Sequence, residues 1–315
     1  MLKDNKKNLW SAFSRYIITY AAQREDFILL ATEGAMKSSL VKELPSDKVF
    51  SPMPADRDIV LAAAGLAVSG KRPWIISESA DILIESYSDI RNVLSTSALP
   101  VSIAVANAGL SVPDAGAEHN ILEDVSLMGT VPDMVVLVPS TPGFFDEKNS
   151  VLCSYQGPIY MRLSTELIAD EHETVSSDEH HGGSRIVSTG SDVTICTCGD
   201  MVQEALEAVA VLEKRGITPE IIDCYRIKPF SEQILLSSVR KTGCCVVAEE
   251  HSINGGLFSA VTTSLSQTYP VPVRCVAVRG QIAAAEKSEE VKEYYGLTWK
   301  DIVNAVMQVY ALRRG

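Results

Sequence analysis

What most constrains this chain is a repeated alternation of short, almost wholly apolar runs with stretches of helical apolar spacing. Phe27-Ile28-Leu29-Leu30-Ala31-Thr32, Pro73–Ile76, Val101–Ala106, Val135–Pro139 and Pro158–Arg162 are apolar at nearly every position. A strand with one wet face would alternate instead, so these strands need cover on both faces. The helical patterns at Leu9–Gln23, Ala55–Val68 and Ile82–Thr96 supply it. The alternation resumes later, with strands at Val193–Cys198, Pro219–Tyr225, Gly243–Glu249 and Val271–Val278. Helices are expected at Gly199–Arg215, Leu257–Gln267 and Val291–Tyr310, the last broken at Gly296-Leu297-Thr298. The expected fold class is α/β: two consecutive three-layer domains, each with a mostly parallel sheet covered by helices.

Between the two halves the pattern stops. Glu166, Asp170, Glu171, Glu173, Asp178 and Glu179 alternate with Ser, Thr and His before Gly182-Gly183. This reads as a solvated acidic linker over 166–185, between domains at 1–165 and 186–315. His172, His180 and His181 fall inside it and are read as linker residues, so no metal site is assigned.

A formal net charge of −12 argues against nucleic acid or an anionic membrane surface as a general partner. No run of 18 apolar residues suits a membrane span. The start lacks a signal-peptide pattern, and the seven cysteines lack disulfide or zinc spacing. A cytoplasmic protein with buried thiols is expected.

The stretch Val49–Gly70 organises the first half. Pro52 and Pro54 mark a loop, and Ala55-Asp56-Arg57-Asp58 opens a helix closed by Gly70. Asp56 and Asp58 suit the positive end of a helix dipole. By themselves they read as a helix start.

Further motifs occur in a fixed order. They are Gly65-Leu66-Ala67-x-x-Gly70-Lys71-x-Pro73, Tyr87-Ser88-Asp89-Ile90-Arg91-Asn92, Ala108-Gly109-Leu110-Ser111-Val112, His119-x-x-Leu122-Glu123-Asp124 and Pro132-Asp133-Met134. Asp223–Lys228-Pro229, Glu249-Glu250-His251-Ser252 and Gly255-Gly256-Leu257 follow. Together they resemble the C-terminal half of transketolase, its pyrimidine-binding domain followed by its C-terminal domain, over essentially the whole chain. The Leu-Glu-Asp after His119 is closer to transketolase than to the β subunits of 2-oxoacid dehydrogenases.

The resemblance implies a thiamine-diphosphate enzyme that transfers a two-carbon ketol unit between small sugars or aldehydes. It also implies a partner: family members hold the diphosphate and Mg2+ through an N-terminal domain with a Gly-Asp-Gly and a downstream Asn. Gly199-Asp200-Met201 does not supply that pattern. The chain therefore resembles one subunit of a split transketolase, expected to pair with the diphosphate-binding subunit and to self-associate across a two-fold axis in a heterotetramer.

Carried over residue by residue, the match is uneven. The family's catalytic glutamate, which contacts the aminopyrimidine, falls on Asp56. That carboxylate reaches about 1.5 Å less, one C–C bond. A misplacement of that size costs on the order of 10²-fold in a positioned reaction. His119 matches a substrate histidine, while Asn107 stands where another histidine is usual. Ala115 replaces a substrate-contacting aspartate and Thr165 a phosphate-binding arginine. Three aromatic positions around the aminopyrimidine fall on Glu78, Asp81 and Ile84. Such carboxylates either bond the cofactor's amino group, turn away, or weaken binding. Lys37 with Ser38 suits a sugar phosphate, and suits an ordinary surface equally. Glu249 and His251 read as interface or strand-end residues.

The reading is a small subunit of a split transketolase-like enzyme with a non-standard donor or acceptor. Catalytic roles fall to Asp56 and His119, cofactor contacts to Asp56, Glu78, Asp81 and Ile84, and substrate contacts to Asn107, His119, Lys37 and Ser38. Two alternatives stand beside it: a non-catalytic subunit with a degenerate cofactor pocket, and the β subunit of a 2-oxoacid decarboxylating complex.

Overall fold

The computed structural model describes residues 6–50, 55–110, 120–145, 152, 155–164, 167–169, 182–280 and 288–313. The strands are β1 Lys6–Asn8, β2 Phe27–Ala31, β3 Val49–Phe50, β4 Arg72–Ser77, β5 Ser102–Ala106, β6 Val135–Leu137 and β7 Ile159–Leu163. They continue as β8 Leu167–Ala169, β9 Arg185–Ser188, β10 Val193–Thr197, β11 Pro219–Asp223, β12 Arg226–Lys228, β13 Cys245–Ser252 and β14 Val273–Val278. The helices are α1 Leu9–Ala22, α2 Ser39–Glu43, α3 Asp56–Val68, α4 Asp81–Glu85, α5 Tyr87–Asp89, α6 Asp124–Thr130, α7 Met201–Glu213, α8 Gln233–Thr242, α9 Leu257–Thr268, α10 Ser288–Tyr295 and α11 Trp299–Tyr310.

The first sheet has the order β12-β6-β7-β5-β4-β2-β3 and is parallel except for β12. The second has the order β14-β13-β10-β11-β9 and is parallel except for β9. Strands β5, β7, β10 and β11 are buried at every position, as the unbroken apolar runs require. The two-sheet α/β architecture expected from the sequence is what the structure shows.

Helix α3 presents Val60, Ala63, Ala64 and Ala67 to the sheet, and these small side chains allow close approach. The opposite face packs α1 through an aromatic cluster in which Trp74 meets Phe13, Tyr16 and Tyr20. Gly70, with φ +85°, ends α3 in a conformation that favours glycine.

Three details differ from expectation. The helix expected at Ile82–Thr96 is interrupted at Ser86 and continues from Ile90 to Ser95 in π-helical form. Residues 167–169, expected in the linker, form β8 and pair antiparallel with β1. The third is β12, which leaves the second domain and joins the first sheet beside β6. There Lys228 Nζ donates to the carbonyls of Gly129 and Val131, at the end of α6. One continuous apolar cluster then runs from Val60 and Ile103 through Val136 and Ile227 to Cys196 and Val247, so the domains share a core. Five cysteines are buried there and in the second domain, and Cys275 is half-buried. Among the described residues no helix is long and apolar enough to cross a membrane.

Because Trp74 is fully enclosed at the centre of the aromatic cluster, Trp74→Ala should destabilise the chain by about 3–5 kcal/mol. The urea midpoint measures this, and an unchanged midpoint would contradict the packing described.

Candidate active site

Open parallel sheets bind ligands outside the carboxyl ends of their strands, where neighbouring connections diverge. In the first sheet that point lies between β2, which leads outward to β3, and β4, which leads the other way to β5. Glu78 follows β4 directly. Thr32 Oγ1, just after β2, donates to Glu78 Oε2 at 2.5 Å. The Glu78 carboxylate lies over Gly34, where an added Cβ would come within 1.8 Å of Oε1. Asn107, following β5 with φ +56°, donates from Nδ2 to the Glu78 carbonyl at 3.4 Å.

Asp56 opens α3 and is half-buried. Its carboxyl is raised above the ordinary range by burial, then by the charges of Glu85, Glu78 and Asp81. Asp81 opens α4 and accepts from Ser79 Oγ at 2.6 Å. Ile84, on the same short helix, is 47% exposed. The structure therefore gathers Asp56, Glu78 and Asp81 into one acidic edge and adds Glu85, which the sequence reading did not single out. Lys37 is exposed in a 3₁₀ turn beyond β2. Ser38 serves locally, its Oγ accepting from Val41 N at the start of α2. His119, Ala115, Thr165, His172, His180 and His181 lie outside the described residues.

A second polar cluster sits where the domains meet, buried rather than open. Asp124 opens α6 and is fully enclosed. Its carboxylate accepts from Tyr160 Oη at 2.5 Å and lies 3.5 Å from Arg162 Nη1. Arg162 also donates to Glu250 Oε1 at 3.1 Å and to the Glu250 carbonyl at 2.8 Å. Burial opposes the Arg162 charge, but the Asp124 and Glu250 carboxylates outweigh it and hold the guanidinium protonated. The sequence signal for this cluster was present as two motifs, Leu122-Glu123-Asp124 and Glu249-Glu250-His251, without their spatial pairing.

His251 reaches back into the first domain, its Nε2 accepting from Ser126 N at 3.2 Å. With Nε2 accepting, Nδ1 carries the proton and meets the Ser252 carbonyl at 2.6 Å. Burial pushes this imidazole below its usual pKa and favours that neutral form. Glu249 accepts from Leu257 N at 2.7 Å and Phe258 N at 2.9 Å, at the start of α9. The strand-end and interface roles expected of Glu249 and His251 are those seen. A cavity of about 30 Å³ beside them is lined by Ala108, Arg162, Cys198, Glu249 and Glu250 among others.

Comparison with known proteins supplies the family. The family model described as the transketolase pyrimidine binding domain matches residues 8–169, and that for the transketolase C-terminal domain matches 182–302. The chain belongs to the transketolase family. Among the similar proteins is a 6-deoxy-6-sulfo-D-fructose transketolase subunit from Clostridium sp., 32% identical, with 91% of this chain and 90% of that protein covered. One subunit of an apulose-4-phosphate transketolase from Phocaeicola vulgatus is 27% identical, with 94% and 96% covered. A split-gene transketolase solved as an inactive beta4 tetramer superposes with a TM-score of 0.86 at 32% identity, covering 98% of this chain and 100% of that one. The transketolase family depends on thiamine diphosphate.

In this transketolase-family chain the interdomain carboxyl Glu249 is pushed up to about 7, chiefly by burial and against the two N–H groups that favour its charge. A carboxyl raised from the usual 4.5 favours the folded state below that value, and this contribution is lost as pH rises through about 7. His251, pushed down, acts oppositely: its contribution is full above 6.5 and is lost on further acidification. Glu249→Gln loses one backbone hydrogen bond at every pH but no longer titrates. Its melting temperature should therefore fall less steeply between pH 6 and 8.5 than that of the parent chain. Parallel curves would contradict the raised carboxyl.

Proposed function

We propose that this chain supplies the pyrimidine side of a thiamine-diphosphate site in a split transketolase-like enzyme that transfers two-carbon ketol units. The observation that carries the reading is Asp56, a half-buried carboxyl with raised proton affinity at the carboxyl edge of a pyrimidine-domain sheet. A carboxyl so placed can share a proton with a ring nitrogen, the task of the family's catalytic glutamate. Glu78 and Asp81 can accept from a ring amino group, and the exposed side chain of Ile84 offers apolar surface. These residues fit the aminopyrimidine end of the cofactor. When bound, the cofactor supplies the electron sink for breaking and remaking the carbon–carbon bond.

Within this chain Asp56 holds or releases the proton at the ring, while His119 and Asn107 face the substrate. Lys37 acts there as a point charge for a substrate anion. On this reading the resemblance assigns Mg2+ and the diphosphate to the partner subunit, and the assembly is a cytoplasmic heterotetramer with two copies of each chain. The relatives named for a sulfonated ketose and for apulose 4-phosphate support a donor or acceptor outside the ordinary pentose phosphates. So do the replacements Asn107, Ala115 and Thr165.

The chain should be co-expressed with a partner carrying the Gly-Asp-Gly site, and the complex titrated with thiamine diphosphate and Mg2+ by calorimetry. Saturable binding is expected, and Asp56→Ala should lower kcat by roughly 10²-fold or more. Full activity of Asp56→Ala would overturn the assignment, and a well-formed complex without binding would favour the non-catalytic alternative.

A donor panel of ordinary ketose phosphates, sulfonated or branched ketoses and 2-oxo acids tests the substrate class. The modified ketoses should turn over fastest. Normal turnover of the pentose phosphates would refute the specialised donor, and preference for a 2-oxo acid would select the dehydrogenase-type alternative.

A further inference from the structure

Thr32, the residue that follows β2, is buried and fixed at both of its backbone groups. Its N–H donates to the Ile76 carbonyl at 3.1 Å, and its carbonyl accepts from Met36 N at 3.0 Å. A β-branched side chain on such a backbone has little rotamer freedom, so the hydroxyl sits in one place. Two oxygens are in reach of its proton, Glu78 Oε2 at 2.5 Å and Ser77 Oγ at 3.4 Å. The Ser77 hydroxyl is already engaged with Ser79, donating to its carbonyl at 2.8 Å and accepting from its N–H at 3.2 Å. The nearer, charged acceptor takes the Thr32 proton.

Gly34 supplies the other half of the hold. Its φ of −67° and ψ of −43° suit any residue, so the backbone does not call for glycine here. What calls for it is the Glu78 side chain: an added Cβ would lie 1.8 Å from Oε1 and 2.3 Å from the carboxyl carbon. From the end of β5, Asn107 Nδ2 reaches the Glu78 carbonyl at 3.4 Å. A glutamate at an exposed position ordinarily spreads its carboxylate over several rotamers. Glu78 is exposed, yet a buried hydroxyl, a bare glycine and a neighbouring strand end confine it.

The confined charge bears on Asp56. Glu85 and Asp81 of α4 act on that half-buried carboxyl together with Glu78, all with the same sign. On α3 itself stand Asp58 and Arg57, the latter paired with Asp89. Of the charges that act on Asp56, Glu78 is the one whose place depends on Thr32.

We propose that Thr32 is a positioning residue: with Gly34 it fixes the Glu78 carboxylate at the carboxyl end of β2, where that charge tunes how Asp56 shares a proton with the aminopyrimidine ring. The inference rests on the proposed function for its cofactor consequence, while the titration of Asp56 is read without it. Thr32→Val keeps the shape and removes the donor, and Thr32→Ser keeps the donor. Gly34→Ala displaces the carboxylate from the other side with no change of backbone conformation.

In the full-length chain, carbon-13 carboxyl resonances of labelled aspartate follow Asp56, assigned by its loss in Asp56→Asn. Thr32→Val and Gly34→Ala should each lower the Asp56 midpoint by about half a pH unit or more, and Thr32→Ser should restore the parent value. A midpoint half a unit lower leaves about threefold fewer Asp56 carboxyls protonated at pH 7.5. Thiamine diphosphate affinity of the complex with the diphosphate-binding partner, measured there by calorimetry, should fall by that factor or more in Thr32→Val and recover in Thr32→Ser. An Asp56 midpoint unmoved in Thr32→Val or in Gly34→Ala would overturn the proposal, as would a Thr32→Ser chain no closer to the parent than Thr32→Val. Should Thr32→Val not fold, Gly34→Ala decides together with Glu78→Gln, which removes the charge and keeps an acceptor for Thr32. An unmoved midpoint in either is then the overturning result. If the complex binds no thiamine diphosphate, the functional reading fails while the Asp56 titration still decides the role of Thr32.

Discussion

A guanidinium taken out of water at the end of β7 has to be met by carboxylates, and Arg162 is met from both domains. Asp124 approaches from the first and Glu250 from the second, with Tyr160 completing the Asp124 side. Removing one partner from such a group leaves an uncompensated buried charge, a loss of about 3–5 kcal/mol. The arrangement therefore ties the domains by geometry as well as by apolar area. Around it the second domain makes its other reaches: His251 to α6, Ser252 to Leu122, and β12 into the first sheet. Arg185 adds one more, bonding Asp223 of β11 and Thr141 beyond β6.

The acidic edge obeys the opposite logic. Glu78, Asp81 and Glu85 are near enough that their charges raise Asp56. Glu78 accepts from the neutral hydroxyl of Thr32 and Asp81 from that of Ser79, where Glu250 meets a guanidinium. Where the buried cluster sets carboxylates against a guanidinium, the edge sets carboxyls beside one another, and their charges raise Asp56. On the proposed reading, that contrast separates a structural network from a surface suited to a ligand that brings its own donors.

Much of the architecture was legible because doubly covered strands write themselves as unbroken apolar runs. Strands β2, β4, β5 and β10 were readable for that reason. Strand β12 was not: Arg226-Ile227-Lys228 has charge at both ends, and its strand character comes from a partner supplied by the other domain. Strand β8 escaped notice because it begins a stretch whose composition is that of a linker. At the site, Asp56 was reachable through the resemblance. Glu85 was not, since its approach depends on one turn of α4. Arg162 and Glu250 lie 88 residues apart, and no local pattern announces their pairing.

The charge at the acidic edge bears on how a two-ended cofactor would orient on the proposed reading. An aminopyrimidine presents N–H donors and a ring nitrogen that gains from a nearby proton, so carboxyls around Asp56 favour that end. A diphosphate brings like charge to the same edge and is disfavoured there unless cations intervene. Arg57, beside Asp56 in sequence, is already paired with Asp89. On the proposed reading, then, the edge would favour the aminopyrimidine end of the cofactor over the diphosphate end. Compensation of the diphosphate would then come from a surface that carries cations or a helix start, which is the physical argument by which the proposed reading calls for a partner.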